Sequence, residues 1–417
     1  MGREPSFCDA VEPARRSCDD PYEIDVITPM FGGGVDAGEC DDLTPIRSSS
    51  IRGHLRFWWR ATRGAHLSLQ KLHETEASIW GEADQPSRVR VRVQVANPGT
   101  RETCAEYPPG SRFPKPLHDY APYAIFPFQG DKDAKHPPRA AKKGVRFKLF
   151  LEHEESYSKD VGAALWAWLN FGGIGSRTRR GCGALYCRTF APETGSPLEV
   201  HGWVKKKFGE YAIRLPAAPP LWPTFWAYPV TGAPESSLEA WKHAVGLLWT
   251  YRQGNGVGRN PGTRKPAGRS WWPEPDSIRI LTGTGEPTHM GSRVVEEPAF
   301  PRAEFGLPIV FHFTDDDPKD KPNNCELYPK GKNRMASPLI LRPMAFGNGT
   351  QAVAMVVRLG VEPLHELELR KIAVDPILRD LQIRRPDLAT YPNSPLKGIT
   401  TGSALDGFMK FAKDNLR

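Results

Sequence analysis

The spacing of apolar side chains along the chain predicts a mixture of strands and helices. The clearest segment is SRVRVRVQV (87–95), where apolar residues alternate with arginine or other polar residues, as in a strand with one buried face. Apolar residues spaced three and four apart predict helices instead. In the first half, strands are predicted at 22–28, 87–95, 145–152 and 184–190. Helices are predicted at 51–64, with a second helix continuing from there to Trp80, and at 156–171.

This order of elements (strand, helix, strand, strand, helix, strand) is that of a ferredoxin-like domain. The second half echoes it, with strands predicted at 224–230, 308–314, 337–346 and 351–360 and helices at 237–253 and 403–416. We therefore predict an α+β fold. We expect a loose leader over 1–20, one domain over 21–215 and a second over 216–417, and a proline-rich loop over 97–122.

Composition excludes several classes of protein. The 417 residues are 39% hydrophobic and 25% charged, enough for the cores of two domains. No apolar run approaches the roughly 20 residues of a membrane span, and the first 20 residues lack the apolar centre of a secretory signal. The seven cysteines include no CxxC pair, so we expect reduced thiols in the cytoplasm.

The net charge of +8 is concentrated in four segments that contain no acid: 43–73, 134–151, 172–187 and 240–273. In the first, four arginines fall within roughly 80° of one another on a helix: Arg52, Arg56, Arg60 and Arg63. Two interpretations remain open. The arginines bind an anionic partner, or they form a solvated face and pair with carboxylates from elsewhere in the chain.

Glycine, arginine and tryptophan are combined in two of these segments in a way that suits single-stranded RNA. GGIGSRTRRGCGALYC (172–187) carries five glycines and three arginines, and 240–273 ends in Trp271 and Trp272. Glycine permits close approach of a ligand, arginine binds phosphate, and tryptophan stacks on bases. A purely structural turn remains an alternative for the glycines. We expect one tryptophan to stack on bases and the other to lie in the core.

The start of the first long helix is the sharpest candidate for holding phosphate. Unpaired N–H groups at a helix N-terminus attract anions, serine hydroxyls cap the helix or donate to phosphate, and Gly53 leaves room for an RNA backbone. Arg52 and Arg56 lie one turn apart and are expected to clamp successive phosphates. The alternative is that Ser49 and Ser50 only cap the helix and that Arg52 pairs with an acid such as Asp42.

The sequence contains no convincing catalytic or metal-binding set. His54, His66 and His73 share the basic helical region and are the best candidates for acid–base chemistry, but isolated histidines are more often structural. Two acidic groups were weighed as metal ligands and are better explained as solvated loops: Asp36, Glu39, Asp41 and Asp42, and the aspartates at 315–317 and 320. We therefore expect neither catalysis nor a metal nor another cofactor.

Several motifs, taken together, resemble a known family. These are TPMFGGG (28–34), PIRSSSIRGHLRFWWRATRG (45–64), GGIGSRTRRGCG (172–183), GRSWWPEPDSIR (268–279), FPRAEFGLPIVFHF (300–313) and SPLILRP (337–343). They resemble the first subunit of the Cmr effector complex, a RAMP-superfamily protein of type III-B CRISPR systems. The resemblance implies two tandem ferredoxin-like domains related to RNA-recognition folds, with long loop insertions.

The resemblance further implies partners rather than chemistry. The family's subunit lies beside another RAMP subunit, near the 3′ region of the guide RNA, and helps to capture target RNA; target cleavage belongs to a different subunit. A RAMP-type endoribonuclease and a mainly protein-contacting scaffold remain the alternatives. The residues expected to bind RNA are Arg47, Ser49, Ser50, Arg52, Gly53, Arg56, Arg60, Gly173, Gly175, Arg177, Arg179, Arg180, Gly181, Arg264, Lys265, Arg269 and Trp271.

Overall fold

The computed structural model has an α+β architecture, as the sequence predicts. It describes residues 15–16, 20–34, 39–131, 136–218, 221–225, 228–261, 269–284, 297–313, 322–372, 377–379 and 383–416. Within them the helices are α1 (Ser48–Ala61), α2 (Leu69–Trp80), α3 (Pro122–Ile125), α4 (Ser158–Phe171), α5 (Pro197–Glu210), α6 (Ser237–Gln253), α7 (Glu274–Thr282) and α8 (Ala404–Asn415). No helix in this described part combines the length and the apolar character needed to cross a membrane.

The described residues also form short strands in the loops and longer strands in the sheets. They are β1 (Arg15–Arg16), β2 (Tyr22–Val26), β3 (Arg90–Asn97), β4 (Thr100–Thr103), β5 (Ala105–Glu106), β6 (Lys115–Pro116), β7 (Ala140–Lys143), β8 (Arg146–Glu154), β9 (Leu185–Tyr186), β10 (Thr224–Phe225), β11 (Val230–Glu235), β12 (Ile309–Phe311), β13 (Cys325–Pro329), β14 (Leu339–Phe346), β15 (Gln351–Gly360), β16 (Glu366–Arg370) and β17 (Ile377–Arg379).

The first sheet is built from β3, β8, β2 and β9, adjacent in that order and antiparallel throughout. Strand β1 pairs with the far end of β8. Ile24 of β2 and Phe147 of β8 belong to the same buried cluster as Leu55 of α1 and Leu165 of α4. The alternation seen in the sequence therefore separates a face covered by α1 and α4 from the other face of the sheet.

The second sheet repeats part of this topology. In the first half, the third strand, β8, lies between the first, β2, and the second, β3, with α1 following β2 and α4 following β8. In the second half, β15 lies between β11 and β14, α6 follows β11, and α8 comes later than β15. Strand β10 extends the β11 side of β15. The two halves therefore share a strand order.

Most predicted elements are confirmed, and two predictions are wrong. The observed bounds of α6 and β15 are those predicted. The strand expected at 184–190 is only β9, because the chain turns into a 3-10 helix at Arg188–Phe190. The proline-rich stretch 97–122 is not simply a loop: it contains β4, which pairs with β7, and the β5–β6 pair. The division between domains near residue 215 stays a prediction.

A third sheet was not predicted. Strands β12, β13, β16 and β17 are adjacent in that order and antiparallel. Ile278 of α7 shares a buried cluster with Leu327 and Leu369 of this sheet. Only β12 overlaps a predicted strand, because each strand spans three to five residues and so carries too little alternation to be recognised.

The two halves of the chain share their hydrophobic cores. Phe225 of β10 packs against Trp58 of α1 and Phe171 of α4, with ring centroids 5.6 and 4.9 Å apart. In the other large cluster, Phe31 of the first half lies with Trp241 of α6. Neither half therefore buries its apolar surface by itself.

One buried arginine crosses between the halves. Arg342 of β14 is completely buried and donates to the carbonyls of Leu169 (3.2 Å) and Gly172 at the end of α4, and of Leu185 (2.8 Å) in β9. No carboxylate of the described residues pairs with it, and burial lowers the pKa of Arg342 to about 9. The carbonyls at a helix C-terminus carry partial negative charge, so they stabilise the cation that they surround.

Replacing Arg342 by methionine tests this junction. The variant fills similar volume but leaves three buried carbonyls without their donors, so we expect the free energy of unfolding to fall by about 3 kcal/mol or more. Arg112→Met, at an exposed loop position, is the matched control and is expected to change stability by less than about 0.5 kcal/mol. Urea unfolding measures both. A loss below about 1 kcal/mol in Arg342→Met contradicts the assigned role.

Candidate nucleic-acid interface

The first turn of α1 is exposed and is not capped as predicted. The helix begins at Ser48 rather than Ile51, its N-cap is the extended residue Arg47, and no side chain caps it. The predicted serine caps are therefore wrong, because the serines already belong to the first turn. Ser49 and Ser50 are exposed, and their hydroxyls have no hydrogen-bond partner within the described part of the chain.

Arg52 and Gly53 also face accessible space. A β-carbon built on Gly53 meets no atom within 4 Å. Arg52 is half-buried and makes no ion pair or hydrogen bond with any described residue, Asp42 included. Arg47 is the residue that pairs with the acidic loop, through Asp41 at 3.0 Å. Arg52 is therefore a cation beside the exposed start of α1 that has no partner among the described residues.

The other arginines of the α1 basic face pair with carboxylates. Arg56 and Arg60 both reach Glu76 of α2, at 2.7 and 2.9 Å, and Arg63 reaches Asp160 of α4 at 3.2 Å. Glu76 is 6% exposed, and a carboxylate buried to this extent requires such partners. These three arginines therefore pair with carboxylates from elsewhere in the chain, as the second of the two interpretations predicts. Whether Arg56 and Arg60 also meet RNA stays a prediction.

The acidic loop before α1 neutralises further basic residues. Glu39 pairs with Arg101 and Arg139, and Asp42 pairs with Arg101 and Lys142. Hydrogen bonds from the backbone N–H and hydroxyl of Thr44 hold the pKa of Asp41 well below its usual range. The basic segment 134–151 is therefore not free of acids in space. Among the described residues, no three His, Cys, Asp or Glu side chains are grouped to hold a metal ion.

The Gly-rich loop (172–183) packs closely against protein backbone. Gly175 and Gly181 have positive φ angles of 84° and 76°, and a β-carbon on Gly181 would lie 2.7 Å from the Leu341 carbonyl. A β-carbon on Gly173 would lie 2.8 Å from the Gly183 carbonyl. The protein's own packing therefore accounts for these glycines, and their predicted contact with RNA remains untested.

Two of the three arginines of the Gly-rich loop join the two halves of the chain. Arg179 donates to the carbonyl of Ser337, and Arg180 donates to that of Leu339 at 3.0 Å, at the start of β14. Arg177 donates to the carbonyl of Ala124 at the end of α3. Burial lowers the pKa of Arg180 to about 9, so its guanidinium stays charged at neutral pH.

The structure brings α1, the Gly-rich loop and β14 together around a small cavity, the His54 pocket. Its volume is about 160 Å³, and it is lined by His54, Phe57, Trp58, Phe171, Gly172, Gly173, Thr178, Arg179 and Ile340. The guanidinium of Arg179 lies 5.7 Å from the centre of the Phe57 ring. α1 and the Gly-rich loop therefore lie side by side at this pocket.

His54 is a neutral group in this pocket that can donate and accept hydrogen bonds. Its ring stacks on Trp168, with centroids 5.9 Å apart and planes 13° from parallel. Burial lowers the pKa of His54 to about 4, so at neutral pH the ring offers one donor and one acceptor. Neither nitrogen has a hydrogen-bond partner among the described residues. The sequence pattern points to His54 only as a candidate for acid–base chemistry and does not point to Phe57, although the position of Phe57 one turn later on α1 is a usable signal.

The last predicted group is only partly described. Arg264 and Lys265 lie outside the described residues. Arg269 pairs with Asp276 at 2.6 Å. Trp272 is completely buried and Trp271 is half-buried, which confirms that the two tryptophans face different surroundings.

The depressed pKa of His54 has a consequence for stability. The imidazole is neutral in the folded protein down to about pH 4 but protonates near 6.5 when unfolded, so stability falls as the pH drops between these values. We expect the titration of His54 to lower the free energy of unfolding by roughly 2–3 kcal/mol between about pH 7 and about pH 4.5. His54→Phe keeps the ring and removes the titration. Urea unfolding at both pH values tests this, and parallel acid sensitivity in the two proteins contradicts it.

Comparisons with known proteins support one family. The model of the RAMP superfamily matches residues 23–186, which contain α1, α4 and the Gly-rich loop. The CRISPR system Cmr subunit Cmr1-2 of Pyrococcus furiosus is 30% identical over 179 residues, 39% of this chain and 92% of that protein. Subunit Cmr1-1 of the same organism is 29% identical over 143 residues, 34% of this chain and 40% of that protein.

Solved structures that align with much of this chain include the apo crystal structure of Cmr1 from Pyrococcus furiosus. Its TM-score is 0.44 at 18% identity, covering 86% of this chain and 93% of that one. A type III-B Cmr-beta cryo-EM structure bound to cognate target RNA and AMPPnP, in the presence of ssDNA, gives 0.46 at 11% identity, over 81% of this chain and 94% of that one. On the family model and the similarity to almost the whole of Cmr1-2, the chain belongs to the RAMP superfamily and, within it, to the Cmr1 family of CRISPR Cmr subunits.

Proposed function

We propose that this chain is a non-catalytic, RNA-binding subunit of a cytoplasmic type III-B CRISPR effector complex. The observation that carries the proposal is its similarity to Cmr1-2 over 92% of that subunit. Its partners in the proposal are guide RNA, contacted in the 3′ region, target RNA, and neighbouring RAMP subunits of the Cmr complex. The net charge of +8 favours a polyanionic partner.

We further propose that the chain consists of two tandem ferredoxin-like RAMP domains, over about 21–215 and 216–417. The shared strand order of the first two sheets supports this division. The third sheet, β12–β13–β16–β17, is then an insertion between β11 and α8 of the second domain. The shared hydrophobic clusters make the two domains one folding unit rather than two independent ones.

The proposed RNA surface begins at the exposed start of α1. Arg52 is a cation without a partner among the described residues, Ser49 and Ser50 offer hydroxyl groups, and Gly53 leaves open space. A phosphate seated there meets donors and positive charge on one side and no acid from α1 itself. A second candidate function is a mainly protein-contacting scaffold, which the pairing of Arg56 and Arg60 with Glu76 favours.

Salt dependence of RNA binding separates these two functions. We expect single-stranded RNA to bind with a log affinity that falls against log salt by about 0.7 per phosphate contact. Arg52→Glu is expected to weaken binding roughly tenfold and to lower that slope. Lys413→Glu, at an exposed position of α8, carries the same charge change as a control. A flat salt dependence, or equal losses in both variants, favours the scaffold.

Incubation with labelled RNA tests the non-catalytic part of the proposal. Because His54 is packed on Trp168 and the lining of its pocket contains no carboxylate or second histidine to complete an acid–base pair, we expect the RNA to stay intact with or without divalent metal ions. Gel electrophoresis of the products measures this. Site-specific cleavage that disappears in His54→Ala favours the endoribonuclease instead.

A further inference from the structure

The His54 pocket combines aromatic walls with polar groups that have no partner among the described residues, beside the proposed RNA surface. Phe57 is half-buried and supplies an accessible aromatic face, while Trp58 and Phe171 are 3% and 0% exposed and close the inner side of the cavity. His54 supplies a donor and an acceptor with no partner among the described residues, and Thr178 supplies a hydroxyl. Ser50 and Gly53 lie one turn before His54 and Phe57 on α1, so they share the face of the helix that lines the pocket.

We propose that the His54 pocket holds one unstacked base of single-stranded RNA and that it favours a pyrimidine over a purine. The inference rests on the proposed RNA-binding function and adds a site for a base to a surface so far assigned only to phosphates. RNA-binding proteins commonly place unstacked bases on aromatic or arginine planes and hydrogen-bond their edges.

The size of the cavity sets the kind of ligand. An apolar cavity of about 150 Å³ holds a single benzene molecule, and drug-sized ligands need roughly 300 Å³ or more. A pocket of about 160 Å³ therefore accepts one six-membered ring and excludes a dinucleotide. A purine, with its second ring, protrudes from the same space.

The chemistry of the walls suits a base better than a hydrocarbon ring. A pyrimidine presents both donors and acceptors on its edge, so it can pair with whichever nitrogen of the neutral His54 ring faces the cavity. An aromatic side chain from a neighbouring subunit would leave the His54 nitrogens without partners, at an unfavourable desolvation cost. Arg179 is fixed over Phe57 by its bond to the Ser337 carbonyl, so a planar cation is already oriented at the pocket.

The position of the pocket also places the rest of the nucleotide. Because the cavity holds only one ring, the ribose and phosphate must lie outside it. On the same helix face, one turn earlier, the hydroxyl of Ser50 is exposed and Gly53 has open space around it. Arg52 is two residues before His54 and faces another side of α1, so its place in the proposal is beside a neighbouring phosphate.

The test compares the loss of affinity caused by one substitution for three RNAs of equal length and charge. The RNAs are a uridine dodecamer, an adenosine dodecamer and a dodecamer whose riboses carry no base. For each, the ratio of Kd in His54→Phe to Kd in the unmodified chain is measured, so the stacking of the RNA itself cancels. We expect a ratio of roughly ten for uridine, two to three for adenosine, and one without bases.

Two further variants keep the comparison interpretable. His54→Gln retains a donor and an acceptor and is expected to recover part of the affinity for uridine. His66→Phe makes the same change at an exposed histidine in the segment between α1 and α2 and is expected to leave all three ratios near one. Circular dichroism at the assay pH confirms that each variant is folded.

The outcomes separate the base pocket from the proposed function. Equal ratios for all three RNAs, whether near one or well above it, overturn the pocket, since His54 then does not sense the base. If that result accompanies salt-dependent binding, the RNA-binding function stands without the pocket. If the adenosine ratio equals the uridine ratio, the preference for pyrimidine is wrong. If no RNA binds the unmodified chain, both proposals fail.

Discussion

The interaction on which the rest of the structure depends is the buried guanidinium of Arg342. It comes from β14 in the second half and satisfies carbonyls of α4 and β9 in the first. The three donors of lysine are all on one nitrogen, whereas the planar fork of arginine spreads five donors over three nitrogens and so reaches carbonyls of separate elements. Because this cation has no carboxylate partner within the described residues, its burial is compensated by oriented backbone dipoles.

That junction fixes the Gly-rich loop and, through it, the candidate site. Gly172, whose carbonyl accepts a hydrogen bond from Arg342, also lines the His54 pocket. Arg179 and Arg180 bind the carbonyls just before and at the start of β14, so the loop is held from both sides. The pocket is therefore assembled by both halves of the chain. A displacement of β14 would alter its shape without any change in α1.

Local sequence patterns predicted the elements that are long and either clearly alternating or clearly helical. The bounds of α6 and β15 follow from their own residues, and so does the succession of β2, α1, β3, β8, α4 and β9 along the first half. The third sheet could not be predicted because its strands are too short to show an alternating pattern. The ion pairs could not be predicted for a different reason: Glu76 is 20 residues from Arg56 in sequence, so a segment that contains no acid can still pair with an acid in space. The Gly-rich loop was recognised, but its role in packing became visible only from its neighbours.

The sharing of hydrophobic clusters between the halves bears on how the chain is synthesised. Trp58 and Phe171 leave the ribosome well before Phe225, and the carbonyls that bind Arg342 leave long before β14. The nascent first half therefore carries aromatic surface without Phe225 until just over half of the chain has been made, and carbonyls without Arg342 until roughly four-fifths has been made. Partly made chains that expose apolar surface are prone to aggregation. Chaperones, or a partner that covers this surface during synthesis, are therefore expected to raise the yield of the native chain.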